Sequence, residues 1–433
     1  MLDRLGVAGE ITWLPFDHTY RFGPLTLDVP RDWRAHARQL GAVCPGSAGG
    51  IEAFFAAACA IFDAMYSSAP GNGGIPGPVY SVDELLAFPK RYPLATRWMD
   101  RPFTEFLSSY VADPAAQRFV RSLSGYITDR PETLTVADMI PIYGYYFHGS
   151  GYPEGGSGRL AEVLAGAVRR RGGAVRLKSP VRRILVEDGK AAGIELATGE
   201  RLHAAAVISN ADYKRTFLEL IDAAHLAPDV RAAIERIEAA CSAFRVHLAI
   251  DLVPDIRPAQ IIRPESGIGV EVVLPSLVDP TAAPAGYATV EMTALIPHAE
   301  ARSWFPTVVG EDIGAWERSA AYRARTTALG DRLIASAEAA IPDLRRHIVL
   351  RSDATPVTMA RFDWSTDGAI CGVRASERFR GSKSPLPGLV LAGSANFGGG
   401  TEAVVISGAT AADTLMPGLL RRRRAAVETR RAA

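Results

Sequence analysis

Three features are scarce or absent in this sequence: cysteine, an excess of one charge, and long uncharged apolar stretches. The 433 residues contain 4 cysteines, with no C-x-x-C pair and no histidine at zinc-ligand spacing, which argues against a disulfide framework and a zinc site. Lys and Arg number 48 against 47 Asp and Glu, so no basic surplus is available for binding nucleic acid. Because no stretch of about 18 uncharged apolar residues occurs, no membrane-spanning helix is expected.

The two ends of the chain bear on its expected location. The first residues, Met1-Leu2-Asp3-Arg4-Leu5, lack the basic and apolar regions of a signal peptide, so the cytoplasm is the expected compartment. The last residues carry a basic cluster, Arg421 to Arg424 followed by Arg430 and Arg431. A solvated terminus is one interpretation of this tail, and peripheral contact with an anionic membrane surface is the other.

The chain is long enough for two domains, and its composition, 48% hydrophobic and 22% charged, is that of a globular protein. Residues 1–150 read as a mainly helical part that would bind substrate. Within it the patterns predict a strand at Ile11–Pro15, a strand pair over Tyr20–Val29, helices at Trp33–Leu40 and Ile51–Tyr66, a surface loop at Pro70–Pro78, and a capping box at Ser81–Glu84.

A different pattern begins near Gly155 and continues to about residue 220. A helix over Leu160–Val168 ends at Gly172-Gly173, the expected glycine stop signal. Short strands are then predicted at Ala174–Leu177, Val181–Val186, Ala191–Leu196 and Ala205–Ser209. With turn signals at Asp188-Gly189 and Thr198-Gly199, this order favours a three-stranded excursion inserted in an α/β layer.

The remainder divides into a mixed α+β part over 221–384, a segment over 385–416 and the basic tail over 417–433. The patterns predict strands at Arg245–Leu252 and Ala288–Ile296, a helix over Ala320–Ile341, a buried strand within Gly388–Gly393, and a helix over Glu402–Leu415.

The strongest chemical signal is the glycine-rich turn between the last strand and the last helix. Three adjacent glycines, Gly398 to Gly400, allow the backbone to approach a ligand closely because no Cβ stands in the way. The helix that follows presents N–H groups and a partial positive charge, which suit phosphate or an electron-rich ring. Tight packing is the other interpretation of such a turn.

Three ordered segments resemble the phytoene desaturases, carotenoid isomerases and retinol saturases. Gly388 to Gly408 is similar to their C-terminal flavin-binding segment. Tyr152-Pro153-Glu154-Gly155-Gly156 is similar to a Tyr-Pro-x-Gly-Gly turn that opens a helix in that family. Ser179 to Ile184, followed by Val207 to Ala211, resembles the family's Pro-Val-x-x-Ile and Val-Ile-Ser-Asn-Ala segments.

The resemblance implies FAD as cofactor and assigns a role to each matching position. Val181 would present its backbone to the adenine end of FAD, and Ser209 and Asn210 would close a strand beside the dinucleotide. The pyrophosphate and ribitol would meet Gly393 and Ser394. The flavin ring would lie against Gly399, Gly400, Thr401, Glu402, Ala403 and Val404.

The sequence also departs from the family pattern. Phe397 stands where the family has Pro, and Glu402-Ala403 replaces a Pro-Gly pair. More important, the family opens with a strand, a G-x-G-x-x-G turn, a helix and a second strand, and no such unit precedes Asp17. The literal match at Gly156-Ser157-Gly158 follows no apolar strand, so it is interpreted as coincidental. The Leu5-Gly6-Val7 region resembles the family sequence just after the opening unit.

An aromatic cluster precedes the Tyr-Pro-Glu-Gly-Gly turn. Tyr143, Tyr146, His148 and Tyr152 are candidate substrate-binding residues that would line an apolar tunnel, and His148 is the candidate acid or base among them. Core packing is the alternative for the whole cluster. No other histidine has a nucleophilic residue at the spacing of a known catalytic motif, so the sequence does not support a hydrolase triad.

Together these observations predict an α/β plus α+β protein of the amine-oxidase and desaturase type, a two-domain FAD- or NAD(P)-binding fold with an incomplete N-terminal Rossmann unit. The cofactor part is expected over 151–220 and 385–416, and the substrate part over 1–150 and 221–384. The expected function is FAD-dependent desaturation, saturation or isomerisation of C=C bonds in a hydrophobic, polyene-like substrate, with a partner chain as one source of the absent unit. The alternatives are a non-catalytic or partner-dependent remnant that binds lipid-like molecules, and a truncated chain of a complete enzyme.

Overall fold

The computed structural model describes residues 1–67, 82–128, 130–306, 312–378 and 381–420. Its strands are β1 (Trp13–Pro15), β2 (His18–Phe22), β3 (Leu25–Asp28), β4 (Gly151–Pro153), β5 (Val181–Glu187), β6 (Lys190–Leu196), β7 (Arg201–His203), β8 (Val207–Ser209), β9 (Ser242–Ile250), β10 (Ala259–Arg263), β11 (Val270–Val273), β12 (Ala288–Ile296), β13 (Ile348–Ala354) and β14 (Leu389–Leu391).

The α-helices of the described residues are α1 (Leu2–Leu5), α2 (Trp33–Val43), α3 (Ala48–Ser67), α4 (Val82–Arg91), α5 (Pro93–Trp98), α6 (Phe103–Ser108), α7 (Pro114–Val120), α8 (Val136–Met139), α9 (Gly144–His148), α10 (Gly158–Arg170), α11 (Pro228–Arg236), α12 (His298–Arg302), α13 (Ile313–Arg318), α14 (Ala320–Ala337), α15 (Pro356–Asp363), α16 (Ser394–Phe397) and α17 (Thr401–Leu415). The predicted Pro70–Pro78 loop, Ser81 of the predicted capping box and the basic tail beyond residue 420 lie outside the described residues.

A seven-stranded mixed sheet organises most of the molecule. Its order is β13-β9-β12-β11-β10-β2-β3, and each neighbouring pair is antiparallel except β10 and β2. Two of its strands come from the first 28 residues, while the other five come from residues 242–354. The predicted regions 1–150 and 221–384 therefore share one sheet.

Helices cover both faces of this sheet. Successive side chains of a strand point to opposite faces, so the neighbours Ile261 and Ile262 of β10 enter two different cores. Ile261 packs with helices of the first 150 residues, whereas Ile262 packs with α14 residues such as Leu333. Burial alternates at every residue along β12, as expected for a strand that is packed on one face more tightly than on the other.

The most apolar helix of the described residues is α3. By length and composition alone, the stretch Pro45–Tyr66 is long and apolar enough to cross a membrane. It contains Glu52 and Asp63, however, and its Phe54 and Phe55 are fully buried in the core of the helical part. Its apolar residues therefore have protein partners in this fold.

Two strands of the predicted three-stranded excursion are confirmed, as β5 and β6, and the third strand of that sheet is β7. Asp188 and Gly189 form its first turn, with φ angles of 49° and 70°, and this left-handed backbone is the reason for an Asp-Gly pair. The third strand, Arg201–His203, was not predicted, because its three residues carry no apolar alternation.

The predicted strand at Ala174–Leu177 is wrong. These residues pair with no strand of the described chain, and the side chain of Leu177 is 78% exposed. A strand exists only when its N–H and C=O groups find a neighbouring ladder. A strand-like composition cannot replace that missing partner.

Strands β8 and β14 form a separate parallel pair, in the register Val207↔Leu389 to Ser209↔Leu391. The outer side of β14 is covered, because Leu391 N–H donates to the Ser382 carbonyl at 2.8 Å. No described strand pairs with the other edge of β8, and Ile208 on that strand is 45% exposed. Parallel sheets are usually buried and longer than two strands, so this edge is unusual.

Two buried histidines of the helical part couple its stability to pH. Burial lowers the pKa of His18 and of His36 from 6.5 to about 4. His36 stacks on Tyr146 at 4.8 Å, and its Nε2 atom has no hydrogen-bond partner among the described residues. Between pH 6.5 and about 4, these two histidines bind protons in the unfolded chain but not in the folded one. The free energy of unfolding should therefore fall as the pH decreases through this range.

We therefore expect His36→Phe to reduce this pH dependence by up to about 1.4 kcal/mol per pH unit. The measurement is urea unfolding at several pH values between 4.5 and 7.5. The exposed His225, changed to Phe, is the matched control and should leave the slope unaltered. If the free energy of unfolding depended equally on pH in His36→Phe and in the unaltered chain, the lowered pKa of His36 would be contradicted.

Candidate flavin-binding site

The parallel pairing of β8 and β14 brings two of the predicted cofactor segments together. Ala392 N–H donates to the Ser209 carbonyl at 2.9 Å, directly where both strands end. Gly393 follows with a φ of 103°, and a Cβ added to it would lie 2.1 Å from Asn210 Oδ1. Only glycine fits this position. Ser209, Asn210, Gly393 and Ser394 thus lie side by side at the carboxyl ends of parallel strands, where open α/β sheets bind ligands.

The glycine turn then leads into α17 with an open approach. Gly398 and Gly400 have φ angles of 101° and 107°. A Cβ on Gly399 would lie 2.6 Å from Cys371 Sγ, so that residue packs against protein. A Cβ on Gly400 would meet no heavy atom within 4 Å, which leaves room on that side for a ligand.

The first turn of α17 is suited to an electron-rich group. Its N-cap residue is Gly400, which has no side chain to accept hydrogen bonds from the first N–H groups. Thr401 and Glu402 are exposed, and Ala403 is half-buried. Uncapped N–H groups with the positive end of the helix dipole favour phosphate or the electron-rich edge of a flavin ring. The residues present therefore fit this part of FAD.

Glu402 connects this helix to the helical part. Burial raises the pKa of Tyr66 on α3, and the charge of the Glu402 carboxylate and a hydrogen bond to it raise that pKa further. Tyr66 stacks on Phe62 at a ring distance of 4.2 Å. Aromatic side chains of α3 thus reach the end of α17 that the resemblance assigns to the flavin ring. No sequence pattern indicated Tyr66, because the contact joins helices more than 300 residues apart.

Val181 is the predicted cofactor residue that lies apart from this group. It is the first residue of β5 and pairs with Leu196 in the three-stranded sheet. That sheet meets β14 near Ala191, whose N–H donates to the Pro387 carbonyl at 2.8 Å. The structure therefore does not bring Val181 beside Gly393, and its assignment to the adenine end of FAD stays a prediction.

The turn at Gly155 and Gly156 is fixed by a residue that the sequence did not reveal. Gly155 N–H donates to Asp279 Oδ2 at 2.7 Å, and both glycines have positive φ angles. Asp279 is buried and also accepts hydrogen bonds from Thr281, which hold the pKa of its carboxyl below the usual value. Because Asp279 lies 124 positions after Gly155 in the sequence, no local motif could show this contact.

The candidate substrate residues fall into two groups. Tyr143 and Tyr146 are buried in the core, where Tyr143 Oη donates to the Val120 carbonyl at 2.7 Å and Tyr146 Oη lies 2.7 Å from Tyr20 Oη. Burial raises the pKa of Tyr146 to about 12. His148 is exposed and Tyr152 is half-buried. Only the second group is accessible to a ligand in this conformation, and the substrate-binding assignment of all four stays a prediction.

Comparisons with known proteins agree with this geometry. The sequence profile described as "Flavin containing amine oxidoreductase" matches residues 94–416, three quarters of the chain. The chain is 26% identical over 346 residues to 4,4'-diapolycopene oxygenase of a Methylomonas species, covering 74% of this chain and 65% of that protein. It is 23% identical over 353 residues to the chloroplastic prolycopene isomerase of Daucus carota, covering 78% of this chain and 55% of that protein.

These figures mean that the chain spans somewhat over half the length of such curated relatives. Among solved structures, an oxidoreductase from Methanosarcina mazei superimposes with a TM-score of 0.60 at 15% identity, covering 96% of this chain and 84% of that one. A putrescine oxidase variant superimposes with a TM-score of 0.56 at 14% identity and the same coverage. These likenesses confirm the predicted fold class. From the extent of the profile match, this chain belongs to the family of flavin containing amine oxidoreductases.

Proposed function

We propose that this chain forms the substrate-binding part and one half of the cofactor site of an FAD-dependent oxidoreductase. Its substrate would be a hydrophobic, polyene- or isoprenoid-like molecule whose C=C bonds are desaturated, saturated or isomerised. The observation that carries the proposal is the uncapped, open N-terminus of α17 beside the Asn210–Gly393 contact. The names of the relatives, a diapolycopene oxygenase and a prolycopene isomerase, support a polyene as substrate.

The chain's own residues would bind and orient the cofactor. FAD, when bound, supplies the acceptor or donor of a hydride. The pyrophosphate would lie against Gly393 and Ser394, whereas the N–H groups of the first turn of α17 would face the ring. Tyr66 and Phe62 would keep water from the ring on the side of the helical part. None of these roles requires a protein nucleophile.

The open edge of β8 indicates what completes the site. Ile208 faces water at 45% exposure, and no described strand occupies that edge. An added strand parallel to β8, with its crossover helix, would bury such surface and satisfy the strand's free backbone groups. We propose that a strand–turn–helix–strand polypeptide outside these 433 residues binds there and carries the other half of the FAD site.

The first experiment tests this completion. The chain is produced alone and together with the part of the Methylomonas 4,4'-diapolycopene oxygenase that lies outside its match to this chain. We expect the two polypeptides to co-elute in gel filtration and retain FAD absorbance near one equivalent, whereas the chain alone loses FAD. Ile208→Lys should abolish co-elution, because it places a charge on the sheet face that the crossover helix must cover. Val349→Lys on β13, where the side chain is 59% exposed, is the matched control.

Two outcomes would overturn these proposals separately. A chain that keeps one equivalent of FAD by itself would contradict the need for a partner at β8. A co-eluting pair that stays colourless in excess FAD would contradict the flavin function. Reading the DNA directly upstream of Met1 for an in-frame G-x-G-x-x-G would show whether the completing segment belongs to the same gene.

The second experiment tests the cradle at α17. In the FAD-loaded complex, Gly400→Ala should weaken FAD binding roughly tenfold, because the new Cβ enters the space left for the ligand. Gly286→Ala is the matched control, since Gly286 also has a positive φ, of 84°, and no heavy atom within 4 Å of an added Cβ. Fluorescence titration of FAD measures both. Equal FAD affinities for the two variants would show that no ligand lies at Gly400.

A further inference from the structure

A cavity of about 420 Å³ lies beside the helical part, away from the β8 edge. It is bounded by β1, by the loop that follows β3, and by the end of α9 together with the residues leading into β4. The side chains that matter for the argument are those of Trp13, Phe16, Asp17, Arg31, Tyr145 and His148. Its volume falls in the range of small-molecule sites.

One wall of the cavity is aromatic. Trp13 is 46% exposed, which is unusual for a tryptophan unless it contacts a ligand or partner. Phe16 and Tyr145 continue this wall on either side of the buried His18, whose ring lies 5.4 Å from Phe16 and 4.3 Å from Tyr145. These contacts hold the rings in place, so an apolar ligand would meet a preformed surface.

The other wall carries Arg31, whose side chain is 64% exposed and forms an ion pair with Asp17. Arg31 Nε and Nη2 donate to the two carboxylate oxygens of Asp17 at 2.9 and 2.8 Å. This bidentate pair orients the guanidinium and lowers the pKa of Asp17. Arg31 Nη1 has no hydrogen-bond partner among the described residues, nor have the ring nitrogens of His148. Because Asp17 balances the charge, the free donors suit a neutral oxygen acceptor better than an anion.

The cavity is connected to the proposed flavin site by a chain of ring contacts. His148 on its wall lies 5.2 Å from the ring of Phe62. Phe62 stacks on Tyr66, which interacts with Glu402 at the start of α17. Packed side chains therefore join the wall of the cavity to the start of α17.

We propose that this cavity binds the end of an isoprenoid-type chain that carries a neutral oxygen, as an alcohol or aldehyde. The aromatic wall takes the hydrocarbon, and Arg31 donates a hydrogen bond to the oxygen. This inference rests on the proposed function, because it names the end group of that substrate. It concerns a different surface from the flavin cradle, so it can be tested on the chain without FAD.

The probes are retinol and anhydroretinol, which share an isoprenoid polyene but differ in the terminal hydroxyl. Binding is measured by quenching of tryptophan fluorescence and by the probe's own emission. The unaltered chain should bind retinol about fivefold more tightly than anhydroretinol, the effect of one net hydrogen bond. Arg31→Met should remove this preference while leaving the affinity for anhydroretinol within about twofold.

Two control variants make the result specific. Arg176→Met removes a similar bidentate pair, with Glu200 at 2.9 and 2.7 Å, on the three-stranded sheet, and should keep the full preference. Trp13→Ala should weaken the binding of both probes equally, because it removes an aromatic contact and no hydrogen bond.

Three results would overturn the proposal: equal binding of the two probes by the unaltered chain, an unchanged preference in Arg31→Met, or no binding of either probe. Retinol binding with no FAD retention by the completed complex would uphold this cavity and contradict the proposed function. FAD retention by the completed complex without retinol binding would uphold the flavin function and contradict the proposal for this cavity.

Discussion

The contact on which the candidate flavin-binding site depends is the parallel pairing of β8 with β14. Only three residues of each strand take part, and the strands come from distant parts of the chain. Their pairing places Asn210 against Gly393 so closely that no side chain larger than hydrogen fits on residue 393. It also fixes where the glycine turn begins and therefore where the N-terminus of α17 points. The residues assigned to the flavin ring follow β14 in the chain, so their positions depend on this short strand pair.

The β8–β14 pair is a separate sheet from the seven-stranded one. The seven-stranded sheet has helices on both faces and two large cores. The β8–β14 layer is two strands wide and exposes Ile208 along its free edge. Since parallel strands gain stability from burial on both faces, this layer has the most to gain from an added strand. A cavity that belongs to the substrate part does not depend on that addition.

Local signals in the sequence were reliable where one residue type satisfies a local backbone requirement. Asp188-Gly189 was predicted as a turn and has left-handed φ angles, and Gly172 ends α10 with a φ of 81°. The strand predicted at Ala288–Ile296 begins and ends at the same residues as β12. The errors arose where pairing partners decide. Residues 174–177 look like a strand but have no ladder, while β7, β10, β11 and β13 form because neighbouring strands stabilise them.

The candidate site divides in the same way. The sequence by itself determined the glycine turn, the uncapped helix behind it and the Ser209-Asn210 strand end, because each is a local pattern with a chemical reason. Only the tertiary structure decided that Tyr143 and Tyr146 are core residues, and that Asp279 holds the Gly155 turn. It alone placed Arg31 and Trp13 around one cavity and Tyr66 beside Glu402. Such contacts join residues far apart in the chain, and they depend on packing and pairing that no local pattern encodes.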